Sequence, residues 1–369
     1  MQNWSLSDRM EKIVKRNILL VGTNTPSCGI YSFVLSADMK KVISYSQQTD
    51  IHNPAYFTMS RNRKFLYALD DSPDHGSITA FSCEPNTGAL AKINTLDLPE
   101  ARGSCHLAVT ADGRFAVVCH YYSNWIISCS IRTDGSIGEV VCKWKHESEE
   151  AYLNRHDPSH PHGVFLSPDN RYLFVCDLGI GQYVWKYDFD IKTGAFAPAA
   201  NQPKISMESG DRPRHAAFHP TGEYMYVVTE PGNKIYVFSY DATEGTLQRL
   251  QVAYALPDDF SGHSICCEVL LTRDGRHLFA SNRVYDGIVH FGVDEKTGLL
   301  LDRAFLPNYG GEPRHLMLSP SEEQAIICND SSNTVAICAF MGSDKNQYRK
   351  QLELYVPNPA CAAIFPTEQ

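Results

Sequence analysis

A short turn followed by an apolar strand recurs six times along this chain, and no other feature restricts the fold as much. The turns start at Ser60 (SRNRKFLYAL), Thr110 (TADGRFAVV), Ser167 (SPDNRYLFV), His219 (HPTGEYMYV), Thr272 (TRDGRHLFA) and Ser319 (SPSEEQAII), at intervals of 47 to 57 residues. Inside each interval comes a loop, a second strand, a tight turn that contains Gly, and a third strand. The later turns are EPNTGAL at Glu84, RTDGSI at Arg132, KTGAF at Lys192, ATEGTL at Ala242 and EKTGLL at Glu295. Asp-Gly and Thr-Gly pairs supply the positive φ that tight hairpins need. Lys234 to Tyr240 and Tyr183 to Phe189 alternate in polarity and are predicted as strands. Antiparallel four-stranded units that repeat every ~40–55 residues indicate a β-propeller rather than a solenoid.

Six units fall between about Asn53 and Asn358, and a remnant is left at each end. Arg16 to Gln48 carries the strand-like ILLVG and GIYSFVL; Pro359 to Phe365 is a lone apolar strand. Joined, the two remnants make a seventh blade, which closes the ring and removes the open edges of a linear array. The expected architecture is therefore all-β: a seven-bladed propeller of four-stranded antiparallel blades, closed by pairing the N- and C-terminal strands in one blade. It forms one domain over residues 1–369, with residues 1–15 as an N-terminal extension in which Ser7 to Lys15 form a short capped helix outside the ring.

Charge narrows the partners. Lys and Arg number 33 against 42 Asp and Glu, for a net charge of −9, with no basic run. Such a chain is a poor ligand for nucleic acid or an anionic membrane, so any basic patch must be local. No apolar run approaches the ~20 residues of a membrane helix, and the first residues lack the apolar stretch of a secretory signal. The 12 cysteines sit in apolar contexts without a C-x-x-C. They read as small buried hydrophobes of a reducing compartment, and the protein as cytoplasmic. Oligomeric state is not legible.

Repeat phase locates a site, because residues at one phase of successive blades are related by rotation about the central axis. Five residues before each turn lie Ala55, Cys105, His162, Arg214, Cys267 and Arg314; eleven after lie Asp71, Tyr121, Leu178, Glu230, Arg283 and Asp330. Charges on strands that face a channel are not required by packing. Arg forks fit carboxylate or phosphate bidentately, so Arg214, Arg283 and Arg314 make a candidate anion pocket. Glu230 among them is a candidate base, and His162, which titrates near neutrality, a candidate acid. Against this stands the reading that these residues are blade-to-blade ion pairs holding the ring.

The stretch His156-Asp-Pro-Ser-His160-Pro-His162 has a metal-ligand spacing, but no closed ligand set is visible and no metal is expected. His106, His215 and His315 fall one residue past the inner phase. Strand alternation turns them away from His162 and toward blade interfaces. No phosphate loop, zinc-finger spacing or nucleophile elbow is present.

Taken together, VGTNTPSCGIYSFVL, HPHGVFLSPDNRYLFVCDLG, RPRHAAFHPTGEYMYVVTE, CEVLLTRDGRHLFASNR and EPRHLMLSP resemble the seven-bladed lactonase family. That family includes propeller-type 6-phosphogluconolactonases and fungal carboxy-cis,cis-muconate cyclases. The resemblance runs from about Asn17 to Phe365. It implies a site of one histidine, two arginines and a glutamate, matched here by His162 in HPHGV, Arg214 in RPRH, Glu230 in VVTE and Arg283 in ASNR. Arg314, Glu268 and His160 are further candidates for substrate contacts. Three departures stand out: Cys266-Cys267-Glu268 where the family usually has Ser-Ala-Glu, Val284 where Gly often follows Ser-Asn-Arg, and Asn329-Asp330 where Asn-Gln is common.

The implied function is hydrolysis of an anionic sugar lactone, foremost 6-phosphogluconolactone, without metal or organic cofactor. In that scheme Glu230 activates water and His162 protonates the leaving oxygen. The alternatives are a muconate-cyclase-type lactonizing enzyme acting on a polycarboxylate, and a non-catalytic binding propeller.

Overall fold

The first letter of each recurrent turn is explained by the hydrogen bond that closes it. Oγ of Ser60, Oγ1 of Thr110, Oγ of Ser167, Oγ1 of Thr272 and Oγ of Ser319 each accept the backbone N–H five residues on, from Phe65, Phe115, Tyr172, His277 and Gln324, at 3.0–3.2 Å. A short side chain with an acceptor thereby stands in for a backbone turn. At His219 the ring does part of this work, with Nδ1 accepting from Thr221 N at 3.2 Å.

A computed structural model describes residues 15–146, 159–179 and 181–367, and shows 29 strands in seven antiparallel sheets. The proposed helix at Ser7 to Lys15 lies, but for its last residue, outside the described residues. Blade one joins Asn17–Thr23, Cys28–Leu35 and Val42–His52 to the C-terminal strand Pro359–Pro366. Pairs from Asn17↔Pro366 to Gly22↔Cys361 make this closure. Blades two to seven follow in chain order over residues 56–98, 104–145, 161–206, 213–254, 265–307 and 313–355. Blade four departs from four strands: its outer edge is split into Phe196–Pro198 and Lys204–Ser206, both paired with Tyr183–Phe189. The innermost strands touch one another in sequence around a full circle, with Pro359–Pro366 meeting Tyr56–Met59 to complete it.

The apolar core is divided among the blade interfaces. Seven buried clusters each bridge two neighbouring blades, as where Met225, Val227 and Tyr236 of blade five meet Phe174 and Val184 of blade four. Each such large side chain contributes roughly 1.5–3 kcal/mol by burial. The later turns lock the same joints. Gly135 at φ 84° and Gly298 at φ 69° lie against the rings of Phe65 and Tyr224 in the preceding blade, where a Cβ would collide. With apolar burial handled between blades, the axis is left to polar side chains.

The innermost strands are not regular. Register shifts fall between Ser104 and His106, Pro161 and Gly163, Pro213 and His215, Cys266 and Val269, and Pro313 and His315. A bulge inserts one extra residue and suspends alternation. The extra residues in four of these strands are Cys105, His162, Arg214 and Arg314, the inner phase of the repeat.

Candidate active site

The bulges decide what the channel contains. Because alternation stops there, consecutive side chains turn to the axis together. Arg214 with His215, and Arg314 with His315, line the same narrow space of about 20 Å³, room for about one water. Expectation and structure differ here: His215 and His315 are channel residues, not blade-interface packing. His106 lies beside them, its ring 4.9 Å from that of His215.

Loop ends complete the mouth. In five of the six repeats the residue eleven after the turn donates its N–H to the carbonyl two residues before the inner-phase residue. Asp71 bonds Asn53, Tyr121 bonds Gly103, Leu178 bonds His160, Glu230 bonds Arg212 and Asp330 bonds Glu312, at 2.7–3.1 Å. This repeated clamp sets the second phase above the first. A cavity of about 280 Å³ results, lined by Asp71, Cys105, Tyr121, Tyr122, His162, Leu178, Arg214, Glu230, Arg283 and Arg314. It lies near the small end of the range for small-molecule sites. Nine of these ten residues come from the two phases; Tyr122 does not. His162, Arg214, Glu230, Arg283 and Arg314 are thus brought together at one mouth, while Asp330, at the same phase as Glu230, is not on its wall.

Glu268 and His160 occupy other positions. Glu268 sits below the mouth, with Oε1 3.2 Å from His215 Nδ1 and Oε2 3.9 Å from His315 Nε2. His160 precedes the inner strand of blade four, stacks on Tyr121 at 4.4 Å and meets the Tyr121 carbonyl with Nδ1 at 2.9 Å. It backs a wall residue instead of forming the wall. His156 lies outside the described residues, among which no group of three or more His, Cys, Asp or Glu is arranged to hold a metal ion.

The charged groups differ in how they are held. Glu230 Oε2 is 2.9 Å from Arg214 Nε in its own blade and 3.3 Å from Arg283 Nη2 in the next. Glu230 Oε1 takes no hydrogen bond from a described residue. Arg214 is 3% exposed and committed: besides Glu230, its Nη1 donates to the Cys267 carbonyl at 2.6 Å. Arg283 keeps a buried Nε–H without an acceptor. The guanidinium of Arg314 makes no hydrogen bond or ion pair with a described residue. His162 Nδ1 is also buried without a partner. Unsatisfied buried polar atoms of this kind call for an occupant.

Protonation follows from the same surroundings. Burial, and then Arg214, His215, Arg314 and Arg283, hold His162 well below the usual imidazole range. His106 and His215 are lowered strongly and His315 to a lesser degree, burial leading in each. These surroundings hold His162 toward its neutral form, where the sequence alone leads to an expectation of titration near neutrality. Asp71 is displaced the other way, to about 6, by burial, with Arg314 pulling down and Asp70 pushing up. The phase count contains Asp71, yet sequence reasoning did not select it, since the surroundings of a strand-end carboxyl leave no local signature. Val284, directly after Arg283, has φ of 73°. A β-branched residue rarely adopts that left-handed conformation, which accounts for the glycine expected there.

Comparison with known proteins bears on the fold and the family. The family model described as "Lactonase, 7-bladed beta-propeller" matches residues 18–364. A 6-phosphogluconolactonase of Bacillus subtilis is 29% identical over 350 residues, covering 94% of this chain and 97% of that protein. One from Formosa agariphila is 28% identical, covering 86% of this chain and 91% of its own. The periplasmic gluconolactonase of Pseudomonas aeruginosa superposes with a TM-score of 0.84 at 25% identity, covering 96% of this chain and all of that one.

Proposed function

This chain belongs to the seven-bladed β-propeller lactonase family, and from that premise we propose that it hydrolyses the lactone of an anionic sugar acid, with 6-phosphogluconolactone as the substrate tested first. The observation that carries this reading is the Arg314 fork on the cavity wall, which makes no hydrogen bond or ion pair with a described residue, beside the guanidinium of Arg283. Three arginines face two carboxyls in that cavity, a local cationic surplus on a chain of net charge −9. An anion is therefore drawn to this mouth and finds donors ready for it.

The groups divide the reaction as follows. Arg314 binds the anionic tail. Arg283 presents its guanidinium to the lactone carbonyl oxygen and stabilises the charge that develops there when water adds. Arg214, closed off by its own contacts, acts as the fixed support that holds Glu230. Glu230 takes the proton of the attacking water on Oε1, since Oε2 is occupied by arginines. His162, on the same wall, helps to orient the water. The bond from carbonyl carbon to ring oxygen then breaks, and the product is the open hydroxy acid.

Pure protein is incubated with 6-phosphogluconolactone, following acid release above the spontaneous rate, and in parallel with a carboxymuconate, following loss of diene absorbance. Catalysed acid release alone is the expected result. Diene loss without acid release would assign the site to lactone closure, and silence in both assays would remove the enzyme reading.

A further inference from the structure

Lactone opening must also deliver a proton to the departing ring oxygen, and neutral His162 has none to give easily. We infer that Asp71 is the proton donor to the leaving oxygen, an assignment that rests on the lactonase reading above. Asp71 lines both the mouth cavity and the narrow space beneath it. It projects from blade two, whereas Glu230 belongs to blade five, three positions away around a ring of seven. The two carboxyls of the cavity therefore face each other across the axis, as an acid and a base on opposite sides of one scissile bond must.

Its mounting suits the role. The Asp71 N–H donates to the Asn53 carbonyl at 3.1 Å, and Asn53 Nδ2 donates back to the Asp71 carbonyl. The backbone is fixed on both sides, yet the carboxyl makes no hydrogen bond or ion pair with a described residue. Nothing competes for its proton except what enters the cavity.

The two carboxyls also differ in their surroundings. Glu230 is braced by two guanidinium groups. Burial raises the Asp71 carboxyl to about 6, so part of it is protonated near neutral pH. Charged or titratable groups facing it are Arg314 from blade seven, its neighbour Asp70, and across the cavity His162, Arg214, Glu230 and Arg283. Two carboxyls in one cavity, one paired with arginines and the other held without a side-chain partner among the described residues, are placed to divide acid from base work.

The step balances. Water oxygen bonds to the carbonyl carbon as its proton passes to Glu230. The carbon–oxygen ring bond breaks, its electron pair goes to the ring oxygen, and that oxygen takes the Asp71 proton. Glu230 then loses a proton to solvent and Asp71 regains one.

The test compares wild type with Asp71→Asn across pH 5 to 8 on one lactone, using the ratio of turnover numbers so that the substrate's own ionisation cancels. Because the protonated form is active, the ratio is expected to be at least about tenfold at pH 5. It should then fall as pH rises through about 6. Arg314→Gln removes the cation that pulls Asp71 down, so the wild-type inflection should move to higher pH in that variant. A ratio near one at every pH, with no shift in Arg314→Gln, overturns the assignment. If Asp71→Asn does not fold, the Arg314→Gln shift decides alone. A wild type inactive on every lactone would instead overturn the functional reading, a result distinct from loss of the Asp71 role.

Discussion

The channel has two mouths made from opposite ends of the same strands, and they differ in kind. The far mouth is the larger, about 600 Å³, lined by Leu270, Leu316, Met317, Ile364 and Phe365 among others, with Arg61, Arg63 and Arg273 toward its rim. The near mouth is less than half that size and holds buried charge: Arg214 at 3% exposure, with Glu230 pinned between two arginines. The rim arginines of the far mouth are exposed, and the Arg273 guanidinium reaches Glu322 only at 4.0 Å. An ion pair with so exposed a cation contributes little. Burying charge is expensive and is tolerated where partners or a ligand compensate it. Volume therefore does not locate the chemistry in this ring; desolvated charge with donors still unspent does.

The contrast is most vulnerable at Glu230 and Arg283. Glu230→Gln keeps the shape and removes the base; Arg283→Ala removes the donor aimed at the developing oxyanion. Each is expected to lower turnover at least about a hundredfold while the circular dichroism spectrum stays that of a β-propeller. Wild-type turnover in both would show that the buried charges of the near mouth are ring scaffolding, as the ion-pair reading of the sequence had it.

Arg314 gives a smaller and more selective effect. As the uncommitted fork, it should govern how tightly an anionic tail is held. Arg314→Ala is expected to raise KM for a phosphorylated lactone about tenfold and to change KM for the unphosphorylated lactone by less than about threefold. Equal loss on both substrates would place Arg314 at the reacting carbonyl instead.

Most of the ring, and most of the mouth, follows from counting along the sequence. The turn letters recur because each closes a hydrogen-bonded ring, and phase maps onto rotation, so Glu230 and Arg283 could be grouped before any coordinates. What counting missed has a physical cause. Alternation assumes a regular strand, and the bulges beside Arg214 and Arg314 break it, so His215 and His315 face the axis where a flat strand would hide them. Glu268, one residue past Cys267 as His215 is past Arg214, joins those histidines in the tier below the mouth. The clasp of His146 Nδ1 on Asp177 Oδ2 at 2.9 Å, with Trp185 Nε1 on the same oxygen at 3.2 Å, links residues too far apart for any local pattern. Asp177 also receives the His160 N–H at 2.7 Å, so this cluster supports the wall at Tyr121 through the His160 ring.

Left-handed backbone occurs at both ends of the strands. The far-side turns at Thr110, His219 and Thr272 place glycine at their positive-φ corners, Gly113, Gly222 and Gly275, whereas those at Ser60, Ser167 and Ser319 place Arg63, Asn170 and Glu322 there. The near mouth places Val284 at φ 73° beside Arg283, the one β-branched residue so placed among the described residues. A left-handed residue with a Cβ costs roughly 1–2 kcal/mol, and glycine gives back part of that relief in chain entropy. Val284→Gly should therefore stabilise the protein by about 0.5–1 kcal/mol, read as a rise in midpoint in urea at unchanged slope. A lowered midpoint would mean that the partly exposed valine side chain contributes more through packing than its backbone loses.

The smallest expected effect is the sharpest test of what separates the two openings. Arg61→Ala combined with Arg273→Ala strips two cations from the rim of the larger mouth. If long-range attraction by the whole surface drew the substrate in, this double variant would slow capture, and kcat/KM would fall more at low salt than at high. The geometry argues otherwise. The channel between the mouths narrows to about 20 Å³, so nothing larger than water passes from the far side to Glu230, and exposed charges beyond a Debye length of ~10 Å are screened at ordinary ionic strength. The double variant should keep kcat/KM within about twofold at 0.1 M salt. A tenfold loss there, with stability intact, would mean that the far mouth feeds the reaction, and that the charges of the near mouth do not suffice to explain where the lactone binds.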